Sequence, residues 1–184
     1  MKYLKVLEGL KSNAGNFEYK IDEINIANNW NPKADNPKEM GGFSFSNEED
    51  ILRWLVRGTV MYDVILPEDA EIIKIKHPST PNGVFRSNKI ILTNPRKVTD
   101  ELALELYYKS NFPQKTYYKV LAGVVIRGLT KTADKIIEDK ISKDNIDEAI
   151  SEYKDFYCPS KEGKLEDYEN YYKYLNILNS IKNN

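Results

Sequence analysis

The chain of 184 residues contains one histidine, His77, and one cysteine, Cys158. A lone cysteine excludes an intramolecular disulfide and points to a reducing compartment. His77 and Cys158 lie far apart in sequence, and a structural zinc site needs about four N/S ligands, so no metal is expected. No run of eighteen apolar residues occurs, and the opening "MKYLKVLEGLKSNAGNFEY" has charges scattered through it. Neither a membrane span nor a signal peptide is expected, which leaves a cytoplasmic protein as the expectation. An excess of either charge is also missing: 27 Lys+Arg face 28 Asp+Glu, for a net charge of -1. Without a global field, nucleic acid and membrane surfaces are disfavoured as partners. No Walker motif, G-x-G-x-x-G, H-E-x-x-H or G-x-S-x-G occurs, so the commonest phosphate-binding and hydrolase signatures are absent.

Hydrophobic residues make up 41% of the chain and charged residues 30%, enough for an ordinary core. The first half reads as strands. "KYLKVLE" (2–8) is a short apolar run, and "NFEYKIDEINI" (16–26) alternates before it shifts phase. A turn-rich loop follows at 27–42, whose Trp30 is expected to plug the edge of its own core. Within "GGFSFSNEEDILRWLVRG" (41–58), Phe43 and Phe45 point one way and Ser44 and Ser46 the other. Ser46 and Glu49 fit a capping box for a helix over 47–57, with Gly58 as a left-handed stop. The acids Glu48, Glu49 and Asp50 would repel an anion at that helix start, so a phosphate cradle there is disfavoured. "TVMYDVILP" (59–67), "EIIKIK" (71–76) and "VFRSNKIILTNP" (84–95) read as further strands, the last halted at Asn94-Pro95, with a loop over 77–83.

After Lys97 the period changes. Thr99 is an N-cap candidate for "DELALELYYKS", "TYYKVLAGVVIRG" (116–128) is the expected central helix, and Asp144 is a cap candidate for "NIDEAISEYKDFY". After a break at Cys158-Pro-Ser, a last helix covers 164–181. The fold class expected is therefore α+β. A β-rich N-terminal half, 1–97, with one capped helix packs against a C-terminal helical bundle, 98–184, as two subdomains or one domain.

Few residues invite chemistry. His77 sits in a Pro-rich loop without an evident nucleophile or orienting partner, and no two carboxylates stand out as an acid/base pair. Arginine is scarce among the basic residues: Arg53, Arg57, Arg86, Arg96 and Arg127. In a lysine-dominated chain an arginine can mark a place that needs its planar fork for a carboxylate or phosphate; the alternative is internal ion pairing with acids such as Asp50 or Asp63. Arg53 and Arg57 fall at i, i+4 on the expected helix. The candidate ligand set is Ser44, Ser46, Arg53, Arg57, His77 and Arg86, with no catalytic residue assigned. Thirteen tyrosines include the pairs Tyr107-Tyr108, Tyr117-Tyr118 and Tyr171-Tyr172. One ring of each pair is expected to face the core and the other water. Arg96, Tyr108, Tyr118 and Tyr171 form the candidate interaction surface.

The set "GNFEY", "GGFSFS…ILRWL", "YDVILPEDAEI", "GVFRSNKIILTNPRKVTDELALELY" and "TYYKVLAG" resembles a family of uncharacterised proteins of low-GC bacteria and their phages, over roughly residues 5–160. The N-terminal part is also similar to a wider group with a Gly-aromatic-His-x-Cys element before the Trp-Leu helix; here that place reads "GFSFS", without the His or Cys. A further similarity is to ADP-ribosyltransferase-like folds, in which an aromatic-Ser-x-Ser strand shapes a nicotinamide pocket. Ser44 and Ser46 would fill those positions, but an early Arg or His on the first strand and a late strand glutamate are missing. The leading expectation is a non-catalytic interaction protein, without a cofactor, that acts on a host protein or defence complex. An ADP-ribosyltransferase-like enzyme and a nucleic-acid-binding protein are the alternatives.

Overall fold

A computed structural model describes residues 1–12, 17–156 and 165–183. Cys158 and the break that follows it lie outside the described residues. Seven antiparallel strands, β1 (Tyr3–Leu7), β2 (Ile24–Ile26), β3 (Phe43–Asn47), β4 (Val60–Ile65), β5 (Ile72–His77), β6 (Thr80–Ser87) and β7 (Lys89–Lys97), precede five helices. These are α1 (Asp100–Lys109), α2 (Gln114–Ile126), α3 (Thr130–Lys140), α4 (Ile146–Lys154) and α5 (Leu165–Asn183). The architecture is α+β, as the change of period at Lys97 predicts.

The strands order as β2-β7-β4-β1-β3-β6-β5. Asn88 alone joins β6 to β7, although three strands lie between them in that order, so the sheet must curl toward closure. Side chains alternate between its two faces. Leu7, Phe43, Phe45, Tyr62, Val64, Phe85, Ile90 and Leu92 form the inner face, which Phe17, Tyr19 and Ile21 of the following loop cover. Phe17, Tyr19 and Ile21, expected to alternate along a strand, thus serve as a lid; 24–26 pairs with β7 as β2, and Ile21 meets β7 only through an isolated bridge to Leu92. Leu4, Val6 and Met61 face outward and share one core with α2 and the remaining helices. One face of the sheet thus shares its core with the helices, while the other face packs its own cluster.

α2 is apolar nearly all round because it is buried on nearly all sides; only Gln114, Lys115 and Lys119 escape burial. Its sequence leaves no water-facing ring in the Tyr117-Tyr118 pair, and both are buried. At the start of α1, Thr99 Oγ1 accepts from the Leu102 N–H at 3.2 Å, the expected cap. Asn145, not Asp144, precedes α4, and its side chain accepts from Ser142 N–H rather than from the helix.

Three other local expectations are corrected. Asn94-Pro95 does not halt a strand: Asn94 takes φ +51° and the β4–β7 register shifts there, so the pair forms a bulge inside β7. The supposed loop at 77–83 is a tight turn at Pro78-Ser79, with His77 opposite Thr80. The segment after β3 is a 3-10 helix, Ile51–Arg57, and Ser46 belongs to β3, so no capping box forms. Gly58 is extended (φ 177°) rather than left-handed. It is required because an added Cβ would lie 2.0 Å from the Leu7 carbonyl carbon of β1.

Candidate functional site

β1 and β3 pair only through Tyr3 with Asn47 and Leu4 with Ser46. Beyond that point the two strands share no ladder. The ammonium of Lys5, not a backbone N–H, donates to the Ser44 carbonyl at 2.5 Å. At this gap lies a cleft of about 940 Å³, a size typical of small-molecule sites, lined from both faces of the sheet.

On the outer face the wall is Ser44, Ser46, Val84, Arg86, Ile75 and His77. The 3-10 helix closes it. At three residues per turn Ile51, Trp54 and Arg57 stand above one another, and all three line the cleft. The same winding separates Arg53 from Arg57, which an α-helix would have kept together. Arg53 leaves the cleft, and its guanidinium lies 5.4 Å from the Trp54 ring centre and 5.5 Å from that of Phe156. Burial, with help from the Arg57 charge, lowers its pKa to about 10. From the inner face come Lys5, Phe17, Tyr19 and Phe43. The Gly41-Gly42 pair, at φ +63° and +71°, turns the chain into β3, where added Cβ atoms would strike Asn29 and Trp30. Trp30 packs over Gly42 and donates to Glu71 at 2.8 Å, a structural role at the rim.

The cleft is rich in donors. Arg86 spends one nitrogen on the carbonyls of Pro37 and Gly41, which ties the loop to the sheet, while its buried Nε has no partner. Ser46 Oγ and Trp54 Nε1, also buried, have none either. His77 Nδ1 accepts from Ser79 N–H at 3.2 Å, so the neutral ring carries its proton on Nε2. Burial first, then the charges of Arg53 and Lys119, lower the His77 pKa and keep that ring neutral. Lys5 forms no ion pair with a described carboxylate; its other neighbour is the Tyr19 ring, 5.2 Å from Nζ. Burial, reinforced by the Arg86 charge, brings its pKa down to about 8. Burial alone lowers that of Arg86.

Among the described lining residues the one carboxylate is Glu18. The acids of the Gly41–Gly58 stretch, expected to repel an anion, turn elsewhere. Glu48 pairs with Lys109 at 2.7 Å, Glu49 accepts from the Asn82 amide side chain at 2.9 Å, and Asp50 accepts from Asn82 N–H at 3.0 Å. Asn82 of β6 and Lys109 of α1 thus take them up. Neither β5, β6 nor β7 carries a glutamate, so the strand acid of the ADP-ribosyltransferase pattern has no counterpart there. No group of three or more His, Cys, Asp and Glu among the described residues is arranged to hold a metal, and no described helix is long and apolar enough to cross a membrane.

Five of the six candidate ligand residues, Ser44, Ser46, Arg57, His77 and Arg86, therefore converge, and Arg53 does not. Lys5 and Trp54 belong to the same walls. Both were legible in part: Lys5 shares strand parity with the apolar Tyr3 and Leu7, and 51-54-57 is a threefold spacing. The candidate interaction residues do not gather. Arg96 pairs with Asp63, Tyr118 is 0% exposed, Tyr171 stacks on Tyr153 at 4.6 Å, and only Tyr108 stands well out at 64% exposed. Tyr118 fails as a surface residue because it belongs to the buried face of α2.

No protein-family model, curated protein or solved structure matches the chain.

Proposed function

We propose that this protein is a binding module for a small anion, such as a phosphate or carboxylate compound, held in the cleft between β1 and β3. One observation carries the reading: among the described lining residues Lys5, Lys38 and Arg86 face one carboxylate, Glu18, and buried polar atoms of Ser46, Trp54 and Arg86 have no partners. Buried polar groups in folded proteins are nearly always bonded, so unsatisfied ones in a cleft wall fit a site completed by a ligand. An anion rich in acceptors complements this wall, and a cation does not. Thermal unfolding with inorganic pyrophosphate, against sodium chloride of equal ionic strength, tests it. Ligand at a hundred times Kd stabilises by about 2.7 kcal/mol, a clear upward shift. The exposed Arg57 is the safest residue to reverse in charge, and Arg57→Glu is expected to remove most of the shift. An equal response in both salts would sink the reading. NAD as a separate ligand tests the transferase alternative, in which Ser44→Ala abolishes the shift.

A role in protein contact, the reading that goes with the resemblance to phage-encoded proteins, has a different observation behind it. Ile24, Ile26 and Ile65 are each more than half exposed. Ile24 pairs with Ile91, which pairs with Ile65, so an apolar row crosses β2, β7 and β4 on one face. Exposed apolar patches of this kind mark contact sites. A host-lysate pull-down compared with an Ile24→Ser/Ile65→Ser variant tests it: a partner retained equally by both proteins removes the row from the account.

A further inference from the structure

Resting on the anion reading, we infer that Lys5 is a covalent attachment point: its Nζ condenses with the carbonyl carbon of a small anionic aldehyde or 2-oxo acid held in the cleft. Strand alternation places Lys5 with Tyr3 and Leu7, half-buried on the side of the aromatic interior. There its amine borders the Tyr19 ring and lines the cleft, with no described carboxylate paired to it. Arg86, whose buried Nε has no partner, lines the same cleft and is the anchor proposed for the ligand's anionic group. Ser46, 1% exposed and with its hydroxyl unpartnered, offers a further donor in the same wall.

The chemistry balances without a redox partner. The nitrogen lone pair adds to the carbonyl carbon, and the carbonyl oxygen takes up a proton to give a carbinolamine. That oxygen then departs as water while nitrogen loses its proton and the C=N bond forms. Amine plus carbonyl gives imine plus water. A neutral amine still donates an N–H to the Ser44 carbonyl, which holds its lone pair away from that oxygen. The depressed pKa of about 8 supports the step. Roughly a tenth of Lys5 is free amine at pH 7, against about one part in 3,000 for an ordinary lysine. Desolvation beside a second cation is a recognised way to activate a lysine nucleophile.

The test treats the full chain at pH 7 with glyoxylate and sodium cyanoborohydride, which traps an imine as carboxymethyl-lysine, and reads every lysine by peptide mass spectrometry. Lys5 is expected to label at least about 10-fold faster than the median lysine. Pyrophosphate should slow Lys5 and no other site, and Lys5→Arg should lose that adduct alone. Labelling of Lys5 at or below the median overturns the inference, and so does fast labelling that pyrophosphate leaves unchanged. If pyrophosphate still raises the melting temperature while Lys5 labels at the median, the covalent step falls and the anion site stands. If it does neither, both fall.

Discussion

Lys5 should make the protein more stable as the solution turns alkaline, and Lys5→Met should remove that gain. Between pH 8 and 10.5 the native chain holds fewer protons at this residue than the unfolded chain, because burial and the Arg86 charge lower its pKa to about 8. Stability therefore climbs as pH rises through that window and is flat in this component below it. Holding the ammonium at a pKa of about 8 instead of 10.5 corresponds to roughly 3 kcal/mol. The bond from Nζ to the Ser44 carbonyl favours the charged form and trims the gain, since hydrogen bonds to charged groups contribute about 1.5–3 kcal/mol. A rise of about 1–3 kcal/mol in the stability difference, wild type minus Lys5→Met, is expected across the window. The assay is urea unfolding followed by tryptophan fluorescence at half-unit pH steps. Tyrosines of the unfolded chain also begin to lose protons near the top of this range, while burial raises the pKa of native Tyr62, Tyr107 and Tyr153, but these contributions are common to both proteins and cancel in the difference. A difference that stays constant from pH 7.5 to 10.5 would refute the argument that the Lys5 ammonium is held against its solvation preference.

Two further outcomes follow from the site and its supports. His77 has a lowered pKa, so the native state resists protonation that the unfolded chain accepts; stability should fall as pH drops below about 6.5, and His77→Gln should flatten that slope in the same unfolding assay. Gly58→Ala should cost about 3 kcal/mol or more by denaturant unfolding, because its Cβ would meet the β1 backbone, while Gly128→Ala, at φ +70° in open space, should cost only about 1–2 kcal/mol. Equal costs at the two positions would contradict the close approach of Gly58 to Leu7.

The alternation of β4 and β5, the periodicity of α1, the apolar run of α2 and the Thr99 cap were plain in the sequence, because burial dictates those patterns; in α5 the sequence put Tyr172 on the core stripe, whereas Tyr174 is buried there and Tyr172 is exposed. What sequence spacing obscured was the winding of Ile51–Arg57. Its apolar residues at 51, 52, 55 and 56 suit an α-helix, yet both ends are anchored: Asp50 to Asn82, and Gly58 against Leu7. A 3-10 helix rises about 2.0 Å per residue rather than 1.5, so seven residues reach further between fixed points. That change of winding also decides which arginine enters the cleft. Ser44, Ser46, His77 and Arg86 were recognisable by residue type, but their convergence depends on the curl of the sheet and on the parting of β1 from β3. The acids at 48–50 misled for a similar reason. Their charges are adjacent in sequence to the cleft residues, while Asn82 of β6 and Lys109 take them up in space.

The central claim, an anion site built around the Lys5 ammonium, is tested most directly by calorimetric titration of pyrophosphate at pH 8 in two buffers of different ionisation enthalpy. Anion binding should raise the Lys5 pKa and draw a fraction of a proton per site from the buffer, an uptake that Lys5→Met lacks. Binding without proton uptake, or no binding heat at low ionic strength in either buffer, would contradict it.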